Sequence, residues 1–293
     1  MRRPLLAALA ALASGALFGC GDTFVDPFLR DGGSLSVFGV LESGFANQPA
    51  ERQTIRVQPV RTRFEPPRSP DDPTLDYTAT VTSVDTFTGD SLRWRPRRLQ
   101  FADGTYGDLF TATFRPRPGG TYRVVVRRDD GRTATASVTL PDRAEVDRLP
   151  WRTDSGGRVV EGAAWPAFRL DDAQATVSGV CGLGCSFDIP VDAPDVRDLG
   201  DGRVAVELDL TRAALTARRV TAPPEGDDSP PPDILLRQVR ISARILGPDW
   251  ALAGDPTRTT VEDGYGFVGG ATRVETTYEP TRAASQAAGF DNP

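Results

Sequence analysis

In the stretch Thr121-Tyr-Arg-Val-Val-Val-Arg-Arg-Asp-Asp-Gly-Arg-Thr-Ala-Thr-Ala-Ser-Val-Thr-Leu140, apolar and polar residues alternate on both sides of one turn. This alternation predicts a β-hairpin and indicates the fold class. A three-residue loop at Asp129-Asp130-Gly131 leaves one face of the resulting hairpin wholly apolar. A two-residue loop would set Val124 against Ser137, so the pattern selects the longer loop, whose glycine supplies the left-handed residue. The predicted pairs are Tyr122 with Val138, Val124 with Ala136 and Val126 with Ala134.

The hairpin lies near the end of a predicted first domain. Short strand-like runs precede it, and the 25 prolines and 29 glycines of the 293-residue chain leave no long helical periodicity. The fold class is therefore all-β, with an N-terminal immunoglobulin- or fibronectin-like β-sandwich over 34–145. The Pro118-Gly-Gly-Thr-Tyr122 turn is similar to the corner of such sandwiches, where a tyrosine hydroxyl bonds back to the backbone. We expect a second β-rich domain over 146–281 and a flexible tail over 282–293.

A second hairpin carries two of the three cysteines. With Gly182-Leu183-Gly184 as a three-residue loop, Cys181 faces Cys185. Opposed strand residues lie about 4.5 to 5.5 Å apart at Cα, which a disulfide tolerates, so we predict a structural disulfide on a buried face. A redox pair or a metal site is the alternative, but the spacing is not Cys-x-x-Cys and further metal ligands are missing. The other predicted pairs are Gly179 with Phe187, Val177 with Ile189 and Ala175 with Val191.

The N-terminus has the pattern of an export signal. Two arginines precede an apolar run over 5–18, which is shorter than the ~20 residues that a membrane-spanning helix needs. Leu17-Phe18-Gly19-Cys20 is similar to the bacterial lipobox, although Phe18 is larger than the usual residue at its position. We therefore predict a signal peptide over 1–19, lipid attachment at Cys20 and a tether over 20–33. The alternative is an ordinary secretory signal that leaves Cys20 free.

Composition excludes several kinds of chemistry. The chain has no histidine, and all 34 basic residues are arginine. Ser-His-Asp and Cys-His nucleophile systems, Schiff-base lysines and P-loops are therefore absent. Without Arg2 and Arg3, 32 basic residues face 40 acidic ones, a net charge of −8. This balance disfavours nucleic acid and anionic lipid headgroups as partners, and the sequence indicates no cofactor or metal.

Three further patterns suggest ligand sites, and each has a plainer interpretation. Gly264-Tyr-Gly-Phe-Val-Gly269 matches a dinucleotide-binding motif, but only 24 residues follow it, so we interpret it as a glycine turn or bulge. An aspartate at every third position suggests calcium but fits no EF-hand spacing. Four aromatic residues could form a sugar-stacking platform if exposed together, whereas core packing is the more usual role. The aspartates are Asp192, Asp195, Asp198 and Asp201, and the aromatic residues are Trp151, Trp165, Trp250 and Tyr265.

The order of these features resembles the exported bacterial lipoproteins of domain-of-unknown-function family 4249. The features are the lipobox, Leu35-Ser-Val-Phe-Gly39, the Pro118–Val124 hairpin, the exit strand Ala134–Pro141 and Asp263-Gly-Tyr-Gly-Phe-Val-Gly269. The resemblance spans most of the mature chain but not the cysteine hairpin. That family has no established activity, and its members occur near TonB-dependent transporters. The resemblance therefore implies an accessory role at the outer membrane, on its periplasmic or cell-surface face.

Three functions from different classes follow. The first is a non-catalytic, lipid-anchored envelope protein that binds another protein, such as an outer-membrane β-barrel transporter. The second is a lipoprotein that binds a glycan or small molecule, which requires aromatic residues to converge on an exposed surface. The third is a hydrolase that uses paired carboxylates, although no pair stands out among the 40 acidic residues.

Overall fold

A computed structural model describes residues 35–45, 48–59, 66–143, 145–182, 184–191, 194–224, 230–251 and 258–291. Within these ranges the protein is all-β, with seventeen strands and two α-helices. The strands are β1 Leu35–Ser43, β2 Glu51–Pro59, β3 Ala79–Asp85, β4 Ser91–Arg93, β5 Arg95–Gln100, β6 Tyr106–Phe114, β7 Thr121–Arg128, β8 Thr133–Thr139, β9 Asp147–Thr153, β10 Val159–Pro166, β11 Arg169–Cys181, β12 Cys185–Val191, β13 Asp195–Asp198, β14 Arg203–Asp209, β15 Ile234–Leu246, β16 Val261–Glu262 and β17 Tyr265–Tyr278. The helices are α1 Leu210–Thr221 and α2 Arg282–Ala288.

One long sheet joins both halves of the chain. Its eight strands run in the order β12-β11-β15-β17-β1-β2-β6-β5. The five-stranded sheet β16-β8-β7-β3-β4 packs on its N-terminal half, and the core between them includes Val37, Ile55, Phe110 and Val126. We call this unit the first sandwich.

The second sandwich uses the other half of the long sheet. There the four-stranded sheet β13-β14-β10-β9 and helix α1 enclose a core that includes Trp165, Val177 and Ile241. Val268 belongs to the first core and Val274 to the second, and both lie on β17. They are six residues apart, so they point to the same face of the strand. Both smaller sheets therefore lie on one side of the long sheet, and we call the opposite side the outer face.

The two predicted hairpin registers are confirmed. In the first, Val124 pairs with Ala136, and Gly131 has a positive φ of 87°. The hydroxyl of Tyr122 accepts a hydrogen bond from the Arg117 backbone N–H at 2.8 Å, so the tyrosine corner is present. In the second hairpin, Cys181 pairs with Cys185.

The C-terminal segments differ from the expected division. Strand β17 pairs in parallel with β1, and Val261 and Val268 pack in the first core, although both lie beyond the expected boundary at 145/146. Where we expected a flexible tail over 282–293, the described residues as far as Asp291 include helix α2. Helix α2 is capped by the Thr281 hydroxyl, which accepts from the Ala284 N–H, and Phe290 is only 3% exposed. A seven-residue helix shows too little periodicity to be recognised in sequence.

Candidate binding face

The predicted lipid-attachment residue, Cys20, lies outside the described residues, as do the predicted signal peptide over 1–19 and the predicted tether over 20–33. Strand β1 begins at Leu35 and occupies the middle of the long sheet. No helix in the described part of the chain is both long and apolar enough to cross a membrane.

A disulfide joins Cys181 and Cys185 across the end of the β11–β12 hairpin, with a Cα–Cα distance of 5.1 Å. Cys181 is 3% exposed, as predicted, whereas Cys185 is exposed because β12 is the edge strand of the long sheet. Such a short closed loop stabilises the fold by about 2 kcal/mol in the chain-entropy model. Its position at the hairpin end fixes the register of the edge strand.

The remaining predicted ligand patterns do not assemble into sites. Asp195 and Asp198 lie on exposed β13, and no three described Cys, Asp or Glu residues come close enough to hold a metal. Asp192 lies outside the described residues. Gly266 is part of strand β17 and not of a phosphate-binding loop, because β17 runs directly beside β1.

The four aromatic residues considered for sugar stacking are dispersed. Trp165 is 1% exposed inside the second core, and Trp151 packs against that core. Tyr265 and Trp250 are partly exposed, and Trp250 lies over the outer face. Only Trp250 therefore belongs to an aromatic surface, together with residues that the sequence did not single out.

That surface crosses the outer face of the long sheet. On five adjacent strands, directly paired residues form the row Arg97–Leu109–Arg56–Phe38–Phe267. Neighbouring strands lie about 4.8 Å apart, so the row spans about 19 Å. We define the aromatic–arginine stripe as this row together with Trp250 and Phe101.

Two close contacts hold side chains of the stripe in place, one at each end. The Arg56 guanidinium lies 3.8 Å above the centre of the Phe101 ring and donates a hydrogen bond to Asp103 at 2.9 Å. At the other end the rings of Trp250 and Phe267 meet edge to face at 4.9 Å.

The rings of Trp250 and Phe267 can pack together because residue 269 is a glycine. A Cβ on Gly269 would lie 2.4 Å from the Phe267 ring and 3.0 Å from Trp250 Nε1, so glycine leaves room for both. Trp250 Nε1 donates to the Gly270 carbonyl at 2.9 Å. Phe38 is 47% exposed between the two ends, so the stripe offers an open apolar side chain beside Arg56.

An ion-pair network borders the stripe on the C-terminal side. Glu42 pairs with both Arg273 and Arg244, and Arg244 Nη2 lies 2.7 Å from Asp171 Oδ2. Arg273 also lies 3.4 Å from Asp172. The hydrogen bond to Asp171 raises the pKa of Arg244. Each charge in the network has an opposite charge beside it.

The buried carboxylates lie apart from one another. Asp108 binds Arg98 through two hydrogen bonds of 2.9 and 3.1 Å in the first sandwich. Glu207 lies between two arginines on the outside of the four-stranded sheet. Glu161 lies on the opposite side of that sheet, since its cross-strand partner Leu208 is a core residue. These carboxylates are therefore held by arginines and are not arranged as an acid–base pair.

Glu161 is the most deeply buried carboxylate among the described residues. It is 2% exposed and is bound by Arg148 through Oε1, while Oε2 has no partner. Burial raises the pKa of Glu161, and the contact with Arg148 only partly offsets this effect. Burial and the nearby Glu161 charge also raise the pKa of Tyr278.

An open depression of about 320 Å³ lies at one end of the first sandwich. Leu92, Phe114 and Tyr122 form its apolar wall, and Asp85 and Asp90 are the acidic residues that line it. The Asp85 carboxylate already accepts hydrogen bonds from the N–H groups of Phe87 and Thr88. The polar groups of this depression thus support the turn around it.

Comparison with solved structures gives matches that include two very distant proteins. No family model and no curated protein matches the chain. A DUF4785 family protein from Legionella pneumophila is 8% identical over 72% of this chain, with a TM-score of 0.29, and the chain spans 51% of that protein's length. Bovine butyrophilin is 11% identical over 84% of this chain and 99% of its own, with a TM-score of 0.20.

Proposed function

We propose that this chain is a lipid-anchored, non-catalytic protein of the bacterial cell envelope, which binds a partner protein through the aromatic–arginine stripe. The exposed stripe is the observation that carries the proposal. Aromatic residues and arginine are enriched in the centres of protein–protein interfaces and among the residues that contribute most to binding.

The shape of the surface supports a protein partner over a small ligand. The stripe lies on the flat face of a sheet, whereas small-molecule sites are concave and enclose most of their ligand. An interface of standard size covers about 800 Å² on each partner, and a face eight strands wide offers that area.

The chemistry of the carboxylates supports a non-catalytic role. A glycosidase needs two carboxyl groups about 5 to 9.5 Å apart across the scissile bond. Glu161 and Glu207 point to opposite sides of one sheet, and Asp108 belongs to the other sandwich. We therefore favour a binding function over hydrolysis.

The lipid anchor and the envelope location come from the sequence. Cys20 follows a lipobox-like tripeptide, and two or more acyl chains would hold the protein at a membrane. The resemblance to family 4249 favours an outer-membrane β-barrel transporter as the partner. Incorporation of labelled fatty acid into the wild-type protein, with its loss in Cys20→Ser, would support the anchor. A wild-type protein that stays unlabelled and water-soluble would contradict it.

Glycan binding is the second candidate, because the Trp250 and Phe267 rings and the open Phe38 side chain also offer stacking surfaces. Titration with envelope oligosaccharides, followed through tryptophan fluorescence, separates the two. A saturable change that is lost in Trp250→Ala would favour the glycan.

A further inference from the structure

The β5 end of the stripe carries positive charge that the described residues around it do not neutralise. Arg97 begins its central row, and Arg95 faces the same side two residues earlier on β5. Both are exposed, and neither has an ion-pair partner in the described part of the chain. Arg56, in the middle of the row, is paired with Asp103.

This excess of positive charge is local, because the molecule as a whole is negatively charged. The whole chain has a net charge of −6. On the same outer face, the network of Glu42, Arg244, Arg273, Asp171 and Asp172 pairs its own charges. The unpaired positive charge therefore lies on the β5 side of this face, three strands or about 14 Å from the exposed Phe38.

The edge of the sheet does not favour the addition of a further strand. Strand β5 is the free edge, and it contains Pro96 opposite Phe110. Proline has no N–H, and in an edge strand its position faces away from the neighbouring strand, so a donor is missing at the free edge. A partner can therefore engage the side chains of the outer face more readily than the backbone of β5.

Resting on the proposed function, we infer that the partner presents a protein surface with an acidic region beside an apolar region: its carboxylates meet Arg95, Arg97 and Arg56, and its apolar side chains cover Phe38 and Phe267. Arginine suits this role because its planar guanidinium binds carboxylates through two hydrogen bonds and stacks on aromatic rings. Charge complementarity of this kind speeds association and rejects basic surfaces.

The test is site-specific photo-crosslinking of the full-length lipoprotein in the bacterium that produces it. A benzophenone side chain replaces Phe38, and the crosslinked peptide of the captured protein is identified by mass spectrometry. We expect one main protein adduct whose crosslinked region contains more Asp and Glu than Lys and Arg. The double variant Arg95→Glu and Arg97→Glu should lower the adduct yield at least tenfold, and Arg95→Gln with Arg97→Gln should lower it less.

Arg240→Glu is the matched control, since Arg240 is an exposed arginine on the polar half of the same outer face. It should leave the yield unchanged. A protein adduct that is insensitive to both Arg95 and Arg97 variants would overturn the acidic partner surface but not the proposed function. No adduct at Phe38, or an adduct with glycan or lipid alone, would overturn both. Melting curves of the variants separate loss of binding from loss of folding.

Discussion

Tyr122 shows how one side chain can close the corner of the first sandwich. Its hydroxyl accepts the Arg117 N–H, and its ring packs edge to face on Phe114 at 6.1 Å. Tyr122→Phe removes only the hydroxyl, so we expect a loss of about 1 kcal/mol in the free energy of unfolding. Urea unfolding measures this loss. Tyr106→Phe, whose hydroxyl bonds to no described residue, should cost much less, and equal losses would contradict the corner role.

Glu161 is expected to make stability depend on pH. Because burial raises its pKa in the folded state above the usual 4.5, the folded protein holds this proton more tightly than the unfolded chain. Its contribution is therefore fully present below about pH 4.5 and is lost as the pH rises through the folded-state pKa.

The isosteric variant Glu161→Gln should flatten this fall in stability between pH 4.5 and neutrality. Urea unfolding at a series of pH values measures it. Glu275→Gln, an exposed glutamate of β17, is the control and should follow the wild type. If Glu161→Gln kept the wild-type slope, the buried carboxylate would not be its origin.

Among the elements, the parallel pair β1–β17 joins the two halves of the long sheet. Gly266 allows the backbone of β17 to approach β1 closely. A Cβ on Gly266 would lie 2.1 Å from the Val37 carbonyl oxygen, and its φ is 111°. We expect Gly266→Ala to cost about 3 kcal/mol or more, from backbone strain together with the clash. Gly104→Ala is the control, because Gly104 has a φ of 78° and nothing within 4 Å.

Gly104→Ala should therefore lower the free energy of unfolding only through the strain of a left-handed backbone, by about 1 to 2 kcal/mol. Thermal unfolding compares the two variants. If the losses were equal, the close approach of β17 to β1 would not limit the residue at this position.

The sequence was informative where neighbouring elements pair and uninformative where distant ones do. Both hairpin registers followed from alternation across a short loop, because one slip would turn every apolar side chain to the wrong face. The pairing of β1 with β17 joins residues more than 200 positions apart, and no local pattern encodes it. The stripe was missed for the same reason. Its row draws one residue from each of five strands, and Phe38 and Phe267 are ordinary strand residues until those strands meet.

At the scale of the whole molecule, the shared sheet should couple the two sandwiches. Fragment 34–145 lacks β16 and β17, which supply Val261 and Val268 to the first core and a partner strand to β1. We therefore expect this fragment to lack a cooperative unfolding transition, whereas the full chain unfolds in one transition. Calorimetry of both proteins measures this. A sharp transition for the fragment would show that the first sandwich folds alone.

We propose that this chain works by binding a partner protein through the stripe. Quantitative co-purification from detergent-solubilised outer membranes, with wild type and Phe38→Asp compared at equal expression, tests it most directly. Phe38 is 47% exposed, so its replacement should leave the fold intact. We expect one β-barrel protein in near-equal amount with wild type and its loss with Phe38→Asp. Recovery of the wild-type chain alone, or of the same partner with both variants, would contradict this proposal.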